Sequence, residues 1–228
     1  MSVDTNSLAR TGRPAGVVFD MDGVLVDSFA VMRAAFAVAY REVVGPGPAP
    51  FEEYSRHLGR YFPEIMRIMG LPPAMQEPFV RESYRLEHQV TMFDGVRELL
   101  EELRRHRIRT SVATGKSGPR ARSLLRRLDV LDLFDHVVGS DEVARAKPAP
   151  DIVIRAMRLM GTAPYETVMV GDAVTDLISA RSAGVPPVAA LWGETDEAAL
   201  LATDPDAALR HPLELLQLLR LTGASVAE

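Results

Sequence analysis

The chain has 228 residues, 47% of them hydrophobic and 25% charged, with a formal net charge of −5. That is enough apolar material for one full core and a smaller satellite lobe, so a chain disordered throughout is excluded. No Lys/Arg-rich block offers a footprint for nucleic acid or an anionic membrane, and the absence of cysteine rules out disulfides and thiolate metal sites.

In chain order, residues 1–14 read as a loose lead without the apolar stretch of a signal peptide. No run approaches the roughly 18 to 20 apolar residues of a membrane span. The expectation is a soluble, cytoplasmic protein whose partner is a small molecule, with no nucleic acid and no membrane involved.

Short β-rich runs follow: "GVVFD" at 16–20, "IRTSVAT" at 108–114, "HVVGS" at 136–140, "TVMVGD" at 167–172 and "PPVAALW" at 186–192. Each of the first four precedes a helical pattern. Near-continuous apolar runs of this length suit a parallel sheet covered on both faces, which is a doubly wound α/β fold. Between residues 29 and 92 the periodicity turns helical, broken by "GPGPAP" at 45–50. A helical lobe over 29–92 is therefore expected as an insertion into a core built from 15–28 and 93–221. "PLELLQLLRL" at 212–221 predicts a last helix, and 222–228 a fraying tail.

Open parallel sheets bind ligands beyond the carboxyl ends of their strands. Asp20 and Asp22 end the first strand, Thr114 the second and Asp172 the fourth, with Asp176 one turn into the next helix, and Lys147 lies in the loop after the third. Clustered carboxylates are costly unless a cation holds them, and oxygen ligands without nearby histidine or cysteine favour Mg²⁺. "TGKS" at 114–117 resembles the end of a nucleotide P-loop, but the earlier glycine is missing, that position being Thr110.

The pieces "DMDGVLVDS", "ATG", "KPAPD" and "GDAVTD", in this order and over about residues 15–220, resemble the haloacid dehalogenase (HAD) superfamily, in particular phosphatase-like members with a helical cap after the first motif. The resemblance implies that Asp20 is nucleophile and metal ligand, that the backbone carbonyl of Asp22 and the Asp172 carboxylate are further ligands, and that Asp176 supports the site. A carboxylate nucleophile divides ester hydrolysis into formation and breakdown of an aspartyl-phosphate. Asp22 is then the natural general acid and base. Thr114, the backbone N–H of Gly115, and Lys147 would bind the transferring phosphoryl group, with Lys116 in reach of a substrate anion. Caps of this family place a specificity loop over the site, which makes Arg56, His57, Arg60 and Tyr61 candidates for substrate recognition.

Other residues have structural readings. Ser28 suits the N-cap of the helix that starts at residue 29, Gly23 a turn, Met32, Met66, Met69 and Met75 core gaps, and Trp192 packing after the fifth strand.

Within the superfamily, dehalogenases lack an acid two positions after the nucleophile, where this chain has Asp22. Phosphomutases of the β-phosphoglucomutase kind carry a histidine twelve residues after it, where this chain has Met32. A non-catalytic module would be free to lose the acids, and none is lost. "ALWG" at 190–193 is similar to phosphoglycolate phosphatases. Three segments, "DSFAVMRAAFAVAYREVVG", "HLGRYFPEIMRIMGLP" and "ATGKSGPRARSLL", are closer to the phosphatase-like proteins of 3-amino-5-hydroxybenzoate (AHBA) synthesis, the starter unit of ansamycin-type antibiotics. That likeness implies an aminosugar-related phosphate or a sugar nucleotide as substrate. Caps of this kind often serve monomers.

Overall fold

The computed structural model describes residues 14–193 and 196–221. The reading of residues 1–13 as a lead and of 222–228 as a tail lies outside the described residues. Six parallel strands form the central sheet: β1 (Gly16–Phe19), β4 (Arg109–Thr114), β5 (His136–Gly139), β6 (Thr167–Gly171), β7 (Pro187–Ala190) and β8 (Ala207–Leu209). Between β1 and β4 come β2 (Val26–Asp27) and β3 (Thr91–Met92), which pair antiparallel in a separate ribbon.

The sheet order is β5-β4-β1-β6-β7-β8. The chain builds outward from β1 through β4 to β5, then returns to lay β6 on the other side of β1. The reversal opens a crevice at the carboxyl ends of β1 and β6, where such sheets bind ligands. Register is set by pairs such as Val17 with Val168 and Phe19 with Val170.

Alternation along β1 divides the core. Val17 and Phe19 face one layer, with α5 (Val96–Arg105), α6 (Gly118–Arg127) and α10 (Glu214–Leu218). Val18 faces the other, with α7 (Asp151–Met160) and α8 (Val174–Ser182). In α5 the buried Val96, Leu99, Leu100 and Leu103 recur at helical spacing, while its arginines and glutamates stay outside. A short α9 (Glu197–Leu201) covers β7 and α8 through Leu200.

Helices α1 (Phe29–Val43), α2 (Phe51–Ser55), α3 (Phe62–Ile68) and α4 (Gln76–Arg85) pack around their own apolar cluster. Phe36 stacks on Tyr54 with centroids 4.6 Å apart, and Phe62 on Phe79 at 4.2 Å. Met32, Met66 and Met75 fill this cluster and Met69 lies at its edge, as core gap-fillers should.

The expected strands all form. The sequence reading missed β8 and the β2–β3 ribbon, which are too short to show any period. The last helix is also shorter than expected, confined to Glu214–Leu218.

Candidate active site

β1 ends at Phe19 and delivers Asp20 into the crevice, 3% exposed. β4 delivers Thr114, and the loop before α7 delivers Lys147, both fully buried. β6 delivers Asp172, and the first turn of α8 delivers Asp176. Asp172 does not cap that helix; the N-cap position is Ala173, whose N–H donates to Asp176 Oδ2 at 3.1 Å.

Lys147 ties these elements together. Its Nζ lies 2.6 Å from Asp20 Oδ1 and 2.6 Å from Asp176 Oδ1, and it donates to the Ala113 carbonyl at 3.0 Å. Its hydrogen bonds go to Asp20 and Ala113, while Asp176 is held by charge, its buried Oδ1 accepting no hydrogen bond. Burial alone would drive its proton off, yet Asp176 and Asp20 outweigh burial and hold the ammonium well above the usual lysine range.

Carboxylate oxygens of Asp20, Asp172 and Asp176 all lie within 4.8 Å of one another. Burial pushes the Asp20 carboxyl up to about 7; Lys147 resists the rise, while Asp176 and Asp22 add to it. Burial, followed by repulsion from Asp20 and Asp176, holds Asp172 well above the usual carboxylate range. One lysine does not neutralise three clustered acids, of which Asp20 and Asp176 are buried and Asp172 half-buried. An all-oxygen donor set of this kind fits a hard divalent cation, which would offset the repulsion. Gly23 keeps the approach narrow: at φ +81°, a Cβ there would stand 1.9 Å from Asp172 Oδ2.

Asp22 is separated from that cluster. Its carboxylate takes a hydrogen bond from Ser28 and forms an ion pair with Lys116. Burial would raise it, but Lys116 and Ser28 prevail and hold it below the usual range. The two neighbouring acids of "DMD" therefore occupy opposite electrostatic settings. The N-cap reading of Ser28 needs correction: it stands at the N-cap position of α1, but its side chain makes no capping bond because the hydroxyl is turned to Asp22.

A cavity of about 60 Å³ lies at the seam between sheet and lobe, lined by Asp20, Asp22, Gly115, Lys116 and Asp172 on the sheet side. Thr114 Oγ1 accepts from the Lys116 N–H at 3.2 Å, which fixes the loop after β4. From the lobe, Leu58, Gly59 and Arg60 reach the cavity, and Arg60 pairs with Glu64 at 2.9 Å. Arg56 is exposed and His57 half-buried, and neither lines this cavity. Tyr61 instead accepts from Gln76 at 3.3 Å. Met32 also lines the cavity.

Two participants went unnoticed in the sequence. Arg120, in the first turn of α6, enters the same cavity, its guanidinium carbon 5.4 Å from the Phe79 ring centroid. Tyr54 is the other, 3% exposed. Trp192 packs against the core as expected and donates from Nε1 to the Val24 carbonyl at 3.0 Å, bracing the loop that carries Asp22 and Gly23.

The model of the haloacid dehalogenase-like hydrolase family matches residues 17–190. The chain belongs to that family. Among relatives of this HAD-like hydrolase, the tyrosine-protein kinase PtkA of Mycobacterium tuberculosis is 30% identical over 187 residues, 79% of this chain and 63% of PtkA. The chain thus spans less than two thirds of PtkA. The phosphorylated carbohydrates phosphatase of Thermotoga maritima is 29% identical over 223 residues, 90% of this chain and 97% of that protein. A solved hydrolase from Pseudomonas syringae superposes with a TM-score of 0.80 at 26% identity, covering 92% of this chain and all (100%) of the other. No helix among the described residues is long and apolar enough to cross a membrane.

Proposed function

We propose that this HAD-like hydrolase is a Mg²⁺-dependent phosphatase acting on a small phosphorylated metabolite. The observation that carries the reading is Asp20, buried at the end of β1 with Lys147 at 2.6 Å and with Asp172 and Asp176 within the same cluster.

Asp20 is the nucleophile. One oxygen attacks phosphorus, the P–O bond to the leaving group breaks, and Asp22 gives a proton to the departing oxygen. Water then attacks the aspartyl-phosphate, Asp22 takes its proton, and Asp20 leaves with release of inorganic phosphate. Asp22 can serve as the acid only once Lys116 has moved off it, and the arriving phosphoryl anion is the natural competitor for that ammonium. Gly115 and Lys116 line the binding place of the phosphoryl oxygens, the buried Thr114 fixes the loop that carries them, and Lys147, buried against Asp20 and Asp176 and not in the cavity wall, holds Asp20 in line. Asp20, Asp172 and the Asp22 carbonyl would hold Mg²⁺, with Asp176 supporting; when bound, the ion supplies neutralisation of the charge that develops on the phosphoryl group.

Helices α1 to α4, residues 29–92, act as a cap over the core of 15–28 and 93–221, with Arg60 as its contribution to recognition. Cytoplasmic location and action as a monomer complete the reading.

Hydrolysis is favoured over a phosphomutase because Met32 lines the cavity on the first lobe helix, and a thioether cannot relay a proton back to a sugar. Retention of every acid disfavours a non-catalytic module. For the substrate, the AHBA likeness favours an aminosugar-related phosphate in antibiotic biosynthesis, and phosphoglycolate is the alternative. Phosphate release from aminosugar, sugar and glycolate phosphates, with Mg²⁺ and with a chelator, tests the proposal. Release that requires Mg²⁺ and disappears in Asp20→Asn is expected; equal release by the variant refutes the assignment.

A further inference from the structure

Three cations line the cavity, and they are not equivalent. Arg60 is engaged by Glu64 at 2.9 Å and Lys116 by Asp22. Among the described residues no carboxylate comes within ion-pair distance of Arg120 and no acceptor hydrogen-bonds to it. Its guanidinium lies over the face of Phe79, which is itself stacked on Phe62. Asp22 and Glu87 act on it only through their field, and burial depresses its basicity. Arg120 is half-buried at the cavity wall, and a guanidinium drawn partly out of water with only a ring face beside it is compensated only in part.

The position has chemical meaning. α6 starts directly after the Thr114–Lys116 loop, so Arg120 stands on the same end of the sheet as the phosphoryl-binding groups, farther along an apolar wall contributed by the lobe. A planar guanidinium with free donors matches a carboxylate in bidentate fashion. We propose that Arg120 reads a carboxylate borne by the leaving group of the phosphoester, with the leaving group's apolar frame lying against Phe62 and Phe79. The proposal rests on the phosphatase reading and narrows it. An ammonium beside Arg120 would meet like charge, so any amino group of the substrate lies away from this wall of the cavity.

Matched esters isolate the interaction: 3-carboxyphenyl phosphate against phenyl phosphate, both with Mg²⁺. Arg120→Met, which keeps an apolar stem, should lower kcat/KM for the carboxylated ester about tenfold or more beyond its effect on phenyl phosphate, the scale of a charged hydrogen-bonded pair. Arg120→Lys should recover part of the difference. Equal effects on the two esters overturn the proposal.

Benzoate binding to the full-length protein, followed by ligand-observed NMR with benzamide as the neutral control, tests Arg120 without turnover. Benzoate should bind in preference to benzamide and lose that preference in Arg120→Met. No preference in the wild type, or the same preference in the variant, refutes the role of Arg120. Failure to hydrolyse either ester counts against the phosphatase reading, and the benzoate measurement still decides the role of Arg120.

Discussion

Thr175 donates its hydroxyl to the Leu58 carbonyl at 2.9 Å, joining the helix that carries Asp176 to the lobe loop that carries Arg60. Beside this bond the two parts meet backbone to backbone. A Cβ on Gly115 would stand 2.6 Å from the Arg60 carbonyl oxygen and 2.9 Å from that of Gly59. Gly115→Ala should keep the lobe from seating while leaving the sheet intact. Misplacement of this kind costs on the order of 10²-fold in kcat/KM, with an unfolding midpoint close to wild type. An undiminished kcat/KM would show that seating is not needed for turnover.

Lys147 bridges Asp20 and Asp176 with no exposure to solvent. Lys147→Met leaves two buried acids without their partner. Breaking a buried pair in this way destabilises by about 3 to 5 kcal/mol, to be read from urea denaturation. Added Mg²⁺ should return part of the loss, since the cation takes over neutralisation of the acids. A midpoint equal to wild type would show that the acids have found other compensation.

The elevated Asp20 carboxyl has a defined sign in a pH titration of metal-free protein. Between its ordinary value of 3.8 and about 7 the folded state holds a proton that the unfolded chain releases, so stability contributed below this window is lost as pH rises through it. Asp172 acts in the same direction. Asp20→Asn should therefore be more stable than wild type near pH 8 without metal, with the difference closing toward pH 4. Thermal unfolding across this range checks it, and a variant destabilised at pH 8 contradicts the sign.

Asp22→Asn preserves the shape of the loop but cannot exchange a proton. Turnover should fall by roughly 10² to 10⁴, the usual scale for general acid–base catalysis, while phosphate binding persists. A burst or single-turnover experiment distinguishes slowed chemistry from lost binding, and an unchanged rate removes Asp22 from the proton transfers.

The core was legible because β1, β4, β5 and β6 are apolar runs whose ends carry chemistry, and the switch in strand order then brings Asp20 and Asp172 together. What escaped depended on packing between distant segments. Arg120 stands in "GPRARSLLRR", where its neighbours Arg122, Arg126 and Arg127 give the appearance of one solvated helix face. Only the seating of α4 against the start of α6 shows that this one position looks into the lobe. Ser28 was read as a cap because local sequence favours it, whereas the Asp22 carboxylate, fixed by a loop, won its hydroxyl. Arg56 and His57 were grouped with Arg60 by proximity in sequence, and the turn between α2 and α3 directs only Arg60 inward.

The β2–β3 ribbon has a wider consequence. Val26 pairs with Met92 and Asp27 with Thr91, so the chain departs for the helical lobe and returns from it at a single point. The strands of the main sheet run on either side of this junction without interruption. Such an attachment behaves like an interchangeable fitting: descendants of one ancestor can exchange or reshape the lobe, and with it the choice of molecule admitted, while inheriting the acids and lysine beneath it unaltered.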